Sequence, residues 1–306
     1  MTALAGRQGL GKSTLTIKLA SLASRGLLHG DLLGEPAMCL FVTEEDALRT
    51  TVVPRLRASQ ARMDRVAFLS VGEAGVLKRL TIPDDVPALA ERAREVGAKF
   101  LVIDPIVSFL REGLSENSDQ EVRQALTPLA QMAESLQAAV LYVRHVSKAE
   151  YSSILDRVGG SVAWTAAARS VLLFGDDPDD YSGVQRVIAH AKCNIGPLLP
   201  SLACSLEGVQ LNGAGPQVST SQIVFGGNVD VKPADLLDSD QTRSEYREAT
   251  DYLLQELAQG PIETRKLLKG ARSLGISDRT LYRAKADLRI RSERCPFGTG
   301  WSWRLR

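Results

Sequence analysis

Cysteine is scarce in this 306-residue chain: Cys39, Cys193, Cys204 and Cys295 are scattered, with no C-x-x-C pair among them. That spacing excludes a zinc knuckle and a disulfide framework and leaves reduced, mostly buried thiols as the expectation. Net charge is nearly absent, at +1, beside a hydrophobic content of 44%, the balance of an ordinary globular protein. No apolar run approaches the roughly 20 residues that a membrane-spanning helix needs, and no basic-then-apolar leader is present. A membrane role is therefore excluded, and a cytoplasmic location is expected.

The near-zero total conceals an asymmetry. Over residues 261–306, twelve Lys and Arg stand against Glu263, Asp278, Asp287 and Glu293, a surplus of +8, so the first 260 residues carry −7. A mildly acidic body with a basic, nucleic-acid-facing end is the simplest reading of that split.

The strongest motif lies at the start. Gly6-Arg7-Gln8-Gly9-Leu10-Gly11-Lys12-Ser13-Thr14 fits the phosphate-binding P-loop, G-x-x-x-x-G-K-[ST]. The glycines let successive backbone N–H groups turn inward around a phosphate. Lys12 reaches the β- and γ-phosphates, the Ser13 hydroxyl ligates Mg²⁺, and the following helix adds its positive N-terminus. Apolar residues 2–5 supply a short strand before the loop, and an amphipathic helix follows over residues 12–24.

Further along, the apolar run 37–43 reads as a buried strand ending in Glu44-Glu45-Asp46, where a helix is expected to begin and reach Pro54-Arg55. A strand is expected at 66–70 and a helix at 84–96. Phe100-Leu101-Val102-Ile103-Asp104 resembles a Walker B strand, whose carboxylate holds Mg²⁺ opposite the P-loop. Because Pro105 follows, the water-activating carboxylate must come from elsewhere, and Glu44 and Glu45 are the candidates. A helix over 119–137 leads to the strand 139–143 and then to His145, at the strand end where ligands bind in open α/β sheets; it is a candidate γ-phosphate sensor. Strands at 170–174 and 184–192 and late antiparallel strands at 202–206 and 223–225 complete the body. Residues 226–244 read as a polar linker.

The basic end reads as helices over 245–257, 264–273 and 278–288, the last capped by Ser277, with a hairpin turning at Pro296-Phe297-Gly298-Thr299-Gly300. Helix–turn–helix plus hairpin is a winged-helix pattern. It would offer Arg279, Arg283, Lys285, Arg291 and Arg294 to duplex DNA, and Trp301 and Trp303, sharing a strand face, are expected in its core.

With these residues in place, residues 2–225 resemble the RecA-like ATPases of the RepA type, the hexameric replicative helicases of plasmids and phages, and related actinobacterial AAA-family ATPases. The resemblance implies an α/β, RecA-like P-loop NTPase fold with a mainly parallel central sheet. It makes Glu45, followed by Asp46, the catalytic glutamate, sets Arg55 near the phosphates, and matches His145 to the family's sensor and Gly160-Ser161 to its Gly-Ser motif. Arg169 would act on the neighbouring subunit's nucleotide, and Lys192 matches a further basic residue of that interface. Plasmid RepA proteins lack the winged helix found here. The implied whole is an ATPase domain (1–225), a linker (226–244) and a winged-helix DNA-binding domain (245–306). The implied ligands are ATP and Mg²⁺, and the implied assembly is a homo-oligomer, a hexamer, with single-stranded DNA through the ring and duplex on the winged helix. The activity so implied is that of an ATP-hydrolysing motor, a replicative helicase or helicase-like ATPase of a mobile element. The alternative is a DNA-bound regulatory ATPase that does not unwind.

Overall fold

A computed structural model of the chain describes residues 1–69, 71–73, 76–78, 80–146, 155–158, 161–178, 180, 183–211, 217–237, 239–294 and 300–305. It divides into two compact units, Met1–Leu236 and Leu237–Arg306.

The first unit is built on nine strands. β1 (Thr2–Gly6) lies between β7 (Ala139–His145) and β8 (Ser170–Asp176). Beyond β7 come β6 (Ala98–Asp104), β2 (Met38–Thr43) and β3 (Val66–Phe68), all parallel. Beyond β8 the sheet turns antiparallel through β9 (Gln185–Cys193), β10 (Ser201–Leu211) and β11 (Val218–Val229). A separate hairpin pairs β4 (Val71–Glu73) with β5 (Val76–Lys78).

The central strands are apolar without alternation because both of their faces are covered. Leu4, Cys39, Phe41, Val102, Leu141 and Val143 face one cluster that also holds Leu15 and Ile17 of α1 (Lys12–Arg25) and Leu56 of α2 (Val53–Ala58). The alternate residues Leu40, Leu101, Ile103 and Tyr142 are equally buried. On that side α3 (Val86–Val96) packs on β6, α4 (Asp119–Leu136) on α3, and α5 (Val162–Ala167) on α4. Each fully buried aliphatic side chain contributes roughly 1.5–3 kcal/mol, so this two-sided core is what fixes the strand ends where they are.

Three expectations are corrected here. The chain from Glu44 does not enter a helix at once; it bends, makes one wide helical turn over Leu48–Val52 and then forms α2. The late strands run to 11 and 12 residues, well past the apolar stretches that announced them, because β10 and β11 pair with each other along nearly their whole length. Residues 226–244, where one unit ends at Leu236 and the other begins at Leu237, hold regular structure where none was expected: β11 extends to Val229, and α6 (Pro233–Leu237) and the start of α7 (Ser239–Leu257) follow. Polar composition was misread there, because an edge strand and an amphipathic helix need few apolar residues.

In the second unit α7, α8 (Thr264–Ser273) and α9 (Asp278–Asp287) enclose Leu253, Leu257, Leu267, Ile276, Leu281 and Trp303. A small sheet joins β12 (Ile262–Glu263), β14 (Trp301–Arg304) and β13 (Arg291–Arg294), with β14 in the middle. The two-residue β12 carries no sequence signal of its own. Ser277 caps α9, its hydroxyl accepting from the Thr280 N–H at 3.2 Å. The turn expected at 296–300 falls, up to residue 299, outside the described residues, as does Cys295. Trp303 is core at 1% exposure, but Trp301 is 55% exposed, contrary to expectation. No described helix is long and apolar enough to cross a membrane.

Candidate functional site

Parallel register decides which residues meet. Gly6 at the end of β1 pairs with His145 at the end of β7, and Thr43 at the end of β2 pairs with Asp104 at the end of β6. Four carboxyl ends thus share one sheet edge, and the P-loop, His145, Asp104 and Glu44-Glu45-Asp46 come together although they are up to 139 positions apart in sequence. This is the edge at which open α/β sheets bind ligands.

The glycines of the loop have different tasks. Gly9 (φ 81°) and Gly11 (φ 96°) take left-handed backbone that side chains resist. Gly6 does not; a Cβ there would run into the Phe174 carbonyl of β8. Its smallness lets two strands approach, a packing role that the motif alone does not disclose.

Lys12 is 5% exposed. Its ammonium donates to the Gly6 carbonyl at 2.9 Å, the Arg7 carbonyl at 2.7 Å and Nδ1 of His145 at 3.0 Å, using all three of its protons. Burial brings the Lys12 pKa down to about 8, against the opposing pull of Asp104 and Glu45. Burial, Lys12 and Arg144 hold His145 below its ordinary value, so the ring is neutral near pH 7 and accepts at Nδ1.

Asp104 is the buried acid of the edge. Burial raises its pKa to about 6; a hydrogen bond from Ser13 and the charge of Lys12 oppose the rise, and Glu45 and Asp46 add to it. Thr16, one helical turn beyond Ser13 on α1, donates to Ser13's carbonyl at 2.9 Å and approaches the Asp104 carboxylate at 3.4 Å. Sequence reading missed Thr16; its i+3 spacing from Ser13 was the available signal. A carboxylate with two hydroxyls is a hard oxygen set of the kind that suits Mg²⁺. Glu45 is exposed, and it acts on both Lys12 and Asp104. Arg55 reaches back from α2 to Asp46 at 2.8 Å, pinning the acidic bend to the helix after it. Such an edge can hold an anion, a divalent cation and a water facing a free carboxylate.

Arg144 is a second residue that sequence reading passed over. It is 4% exposed, pairs with Glu116 at 2.8 Å and lies 4.2 Å over the ring of Trp164. Tyr142 donates to the Trp164 carbonyl, and the Trp164 indole N–H to the Glu116 carbonyl at 3.0 Å. This cluster anchors the end of β7 and so fixes His145. Ser161 caps α5 by accepting from the Ala163 N–H at 3.1 Å; Gly159, Gly160, Ser147 and Lys148 lie outside the described residues.

Arg169 and Lys192 are not at this edge. The Arg169 N–H donates to the Met1 carbonyl at 2.9 Å, and Lys192 pairs across from Val171. Both therefore lie where β1 and β8 begin, one strand length from the P-loop. Arg169 is exposed. Lys192 donates to the carbonyls of Thr165 at 2.7 Å and Ala168 at 2.9 Å, closing the end of α5. Neither reaches the nucleotide edge of its own chain.

In the second unit Arg279, Arg291 and Arg294 are exposed, and Arg283 and Lys285 are half-buried. Lys285 is engaged internally: it bonds Ser292 at 2.6 Å and lies 4.6 Å over the Trp303 ring. Burial of Cys39 and Cys204 pushes both thiols up to about 12, and among the described residues no group of three His, Cys, Asp or Glu could hold a metal ion.

Burial raises the Asp104 carboxyl from 3.8 to about 6, which costs the fold almost nothing below pH 4, progressively more from pH 4 to 6, and a level amount of roughly 3 kcal/mol above that. Asp104→Asn is therefore expected to melt several degrees above the parent at pH 7.5 without ligand, with the gap shrinking toward pH 4. The same variant should gain little from added Mg²⁺ and ATP. A ligand-free Asp104→Asn protein less stable than the parent at pH 7.5 would contradict this account of the site.

Residues 1–150 match the model of the AAA domain family. No curated protein matches the chain. Among solved structures, one described as an ATPase domain is similar over 67% of this chain and 80% of that one, at 13% identity and a TM-score of 0.48. Another, a DnaB-like replicative helicase described with its interactions with primase, is similar over 67% of this chain and 54% of its own, at 14% identity and the same TM-score. Residues 1–150, which match the AAA domain family model, supply β1, β2, β3, β6 and β7, most of the parallel part of the central sheet.

Proposed function

We propose that the chain binds ATP with Mg²⁺ and hydrolyses it, as a cytoplasmic RecA-like motor on DNA of the RepA-type helicase kind. The observation that supports this most is the convergence of Lys12, Asp104, His145 and Glu45 on one sheet edge. The backbone N–H groups from Gly6 to Thr14 cradle the phosphates, and Lys12 turns its protons from the loop carbonyls to the phosphate oxygens. Ser13 and Asp104 hold Mg²⁺, which neutralises charge on the phosphates when bound. Glu45 takes a proton from water as that oxygen bonds to the γ-phosphorus and the bond to ADP breaks. Neutral His145 senses the γ-phosphate, and Arg55 stands beside the acidic bend. Of the two acids, Glu45 is favoured over Glu44 because it is the one that acts on Lys12 and Asp104.

Arg169 and Lys192, on the opposite edge, serve a neighbouring subunit's nucleotide in a head-to-tail ring, a hexamer in this reading. Residues 245–306 form a winged helix that binds duplex DNA through Arg279, Arg283, Lys285, Arg291 and Arg294, while single-stranded DNA passes through the ring. ATP hydrolysis rates with and without single-stranded DNA, alongside sizing in ATP, test the reading. DNA-stimulated turnover by an ATP-dependent oligomer is expected. Duplex binding with no strand separation would select instead a regulatory ATPase, a reading that the +8 surplus over residues 261–306 also suits.

The shared site has its own test. Mixing Lys12→Ala subunits, which keep Arg169, with Arg169→Ala subunits, which keep Lys12, should recover part of the activity that each lacks alone. No recovery in well-mixed oligomers would assign Arg169 a role within its own chain.

A further inference from the structure

We propose that the β13–β14 hairpin carries a stacking site for an unpaired nucleotide base, with Trp301 as the platform and Arg294 as the partner of the adjoining phosphate. It rests on the reading that the second unit binds nucleic acid, and it adds an unpaired base to the duplex that unit takes.

The observation is an uneven pair. Trp301 and Trp303 lie two residues apart on β14 and so share a face, yet Trp303 is 1% exposed and Trp301 55%. The cover over Trp303 is specific: the Tyr282 ring meets it edge-on at 5.2 Å, and the Lys285 ammonium lies 4.6 Å above it. Among the described residues that cover does not extend to Trp301. On the neighbouring strand, β12 ends at Glu263, opposite Ser302. A small domain gains much by burying indole, so a ring left outside is available for another partner.

The surroundings say which one. Register sets Arg294 directly opposite Trp301, where cross-strand side chains stand side by side. Arg294 is exposed; Arg291 and Arg304, paired at the other end of the ladder, lie on its opposite face and take no part. An indole flanked by a guanidinium within a +8 segment complements a polyanion that also offers flat rings. In an intact duplex the base faces are already stacked, so this platform suits a single strand or an overhang. Because every base has a π-face, the preference should be for strandedness and not for sequence.

The test uses the full chain and three labelled DNAs: a single strand, a blunt duplex and a duplex with an overhang. Anisotropy reports binding, and tryptophan emission reports stacking, because Trp164 and Trp303 are buried and Trp301 is not. Single strand and overhang should quench emission and blunt duplex should not. Trp301→Phe should remove the quenching while keeping most of the affinity. Trp301→Ala should weaken overhang binding about tenfold and leave blunt-duplex binding unchanged. Binding without quenching, equal quenching by blunt duplex, or quenching that survives Trp301→Phe would each overturn the stacking site while leaving nucleic-acid binding intact. Anisotropy that detects none of the three DNAs would remove the nucleic-acid reading, and the site with it.

Discussion

Lys12→Ala should abolish ATP hydrolysis, with a loss of roughly a thousandfold or more, and should weaken nucleotide binding. The side chain is the one buried cation at the P-loop among the described residues, and its three protons already point at the loop carbonyls and His145. A phosphate entering the loop meets a charge whose hydration has been removed, where electrostatic stabilisation is strongest. The variant should remain folded, because the buried ammonium it removes carries a desolvation cost of its own. Burial also sets a pH signature. With the free lysine near 8, nucleotide affinity should fall about tenfold per unit as pH rises above 8, since a proton must then be taken up on binding. The Lys12→Ala protein should lack that limb. Wild-type turnover in Lys12→Ala would remove the P-loop from the mechanism altogether.

Glu45→Gln should keep ATP binding while hydrolysis drops roughly a hundredfold or more, the range expected on loss of a general base. β6 ends in Asp104, and Pro105 after it supplies no second acid there. Asp104 is itself buried, near pKa 6 and bound to Ser13, so it suits a cation better than a water. Glu45 is exposed and within electrostatic reach of both Lys12 and Asp104. Nucleotide affinity and single-turnover rate, measured on Glu45→Gln and Glu44→Gln together, separate the two acids. If Glu44→Gln carries the loss, the register of the acidic bend is one residue off.

Much of the site was legible in the sequence, and the reason is local. A P-loop is contiguous, its glycines are required by backbone geometry, and a strand that ends in Asp declares itself by composition. The central strands were legible too, because burial on both faces leaves unbroken apolar runs. The basic surplus near the C-terminus and the cap at Ser277 are likewise written in consecutive residues.

Tertiary structure decided what depends on register and packing. Only the parallel pairing of β1 with β7 and of β2 with β6 brings His145, Asp104 and Glu45 to one edge, and it carries Arg169 and Lys192 to the other. Gly6, which has no left-handed backbone to require a glycine, is required by the close approach of β8. Thr16 and Arg144 entered only through contacts with residues far away in sequence. The segment 226–244 begins as strand because the pairing of β11 with β10, which composition does not report, continues past the apolar residues to Val229. Trp301 and Trp303 have the same alternation and opposite fates, since burial is decided by what a neighbouring element covers and not by the residue's own strand.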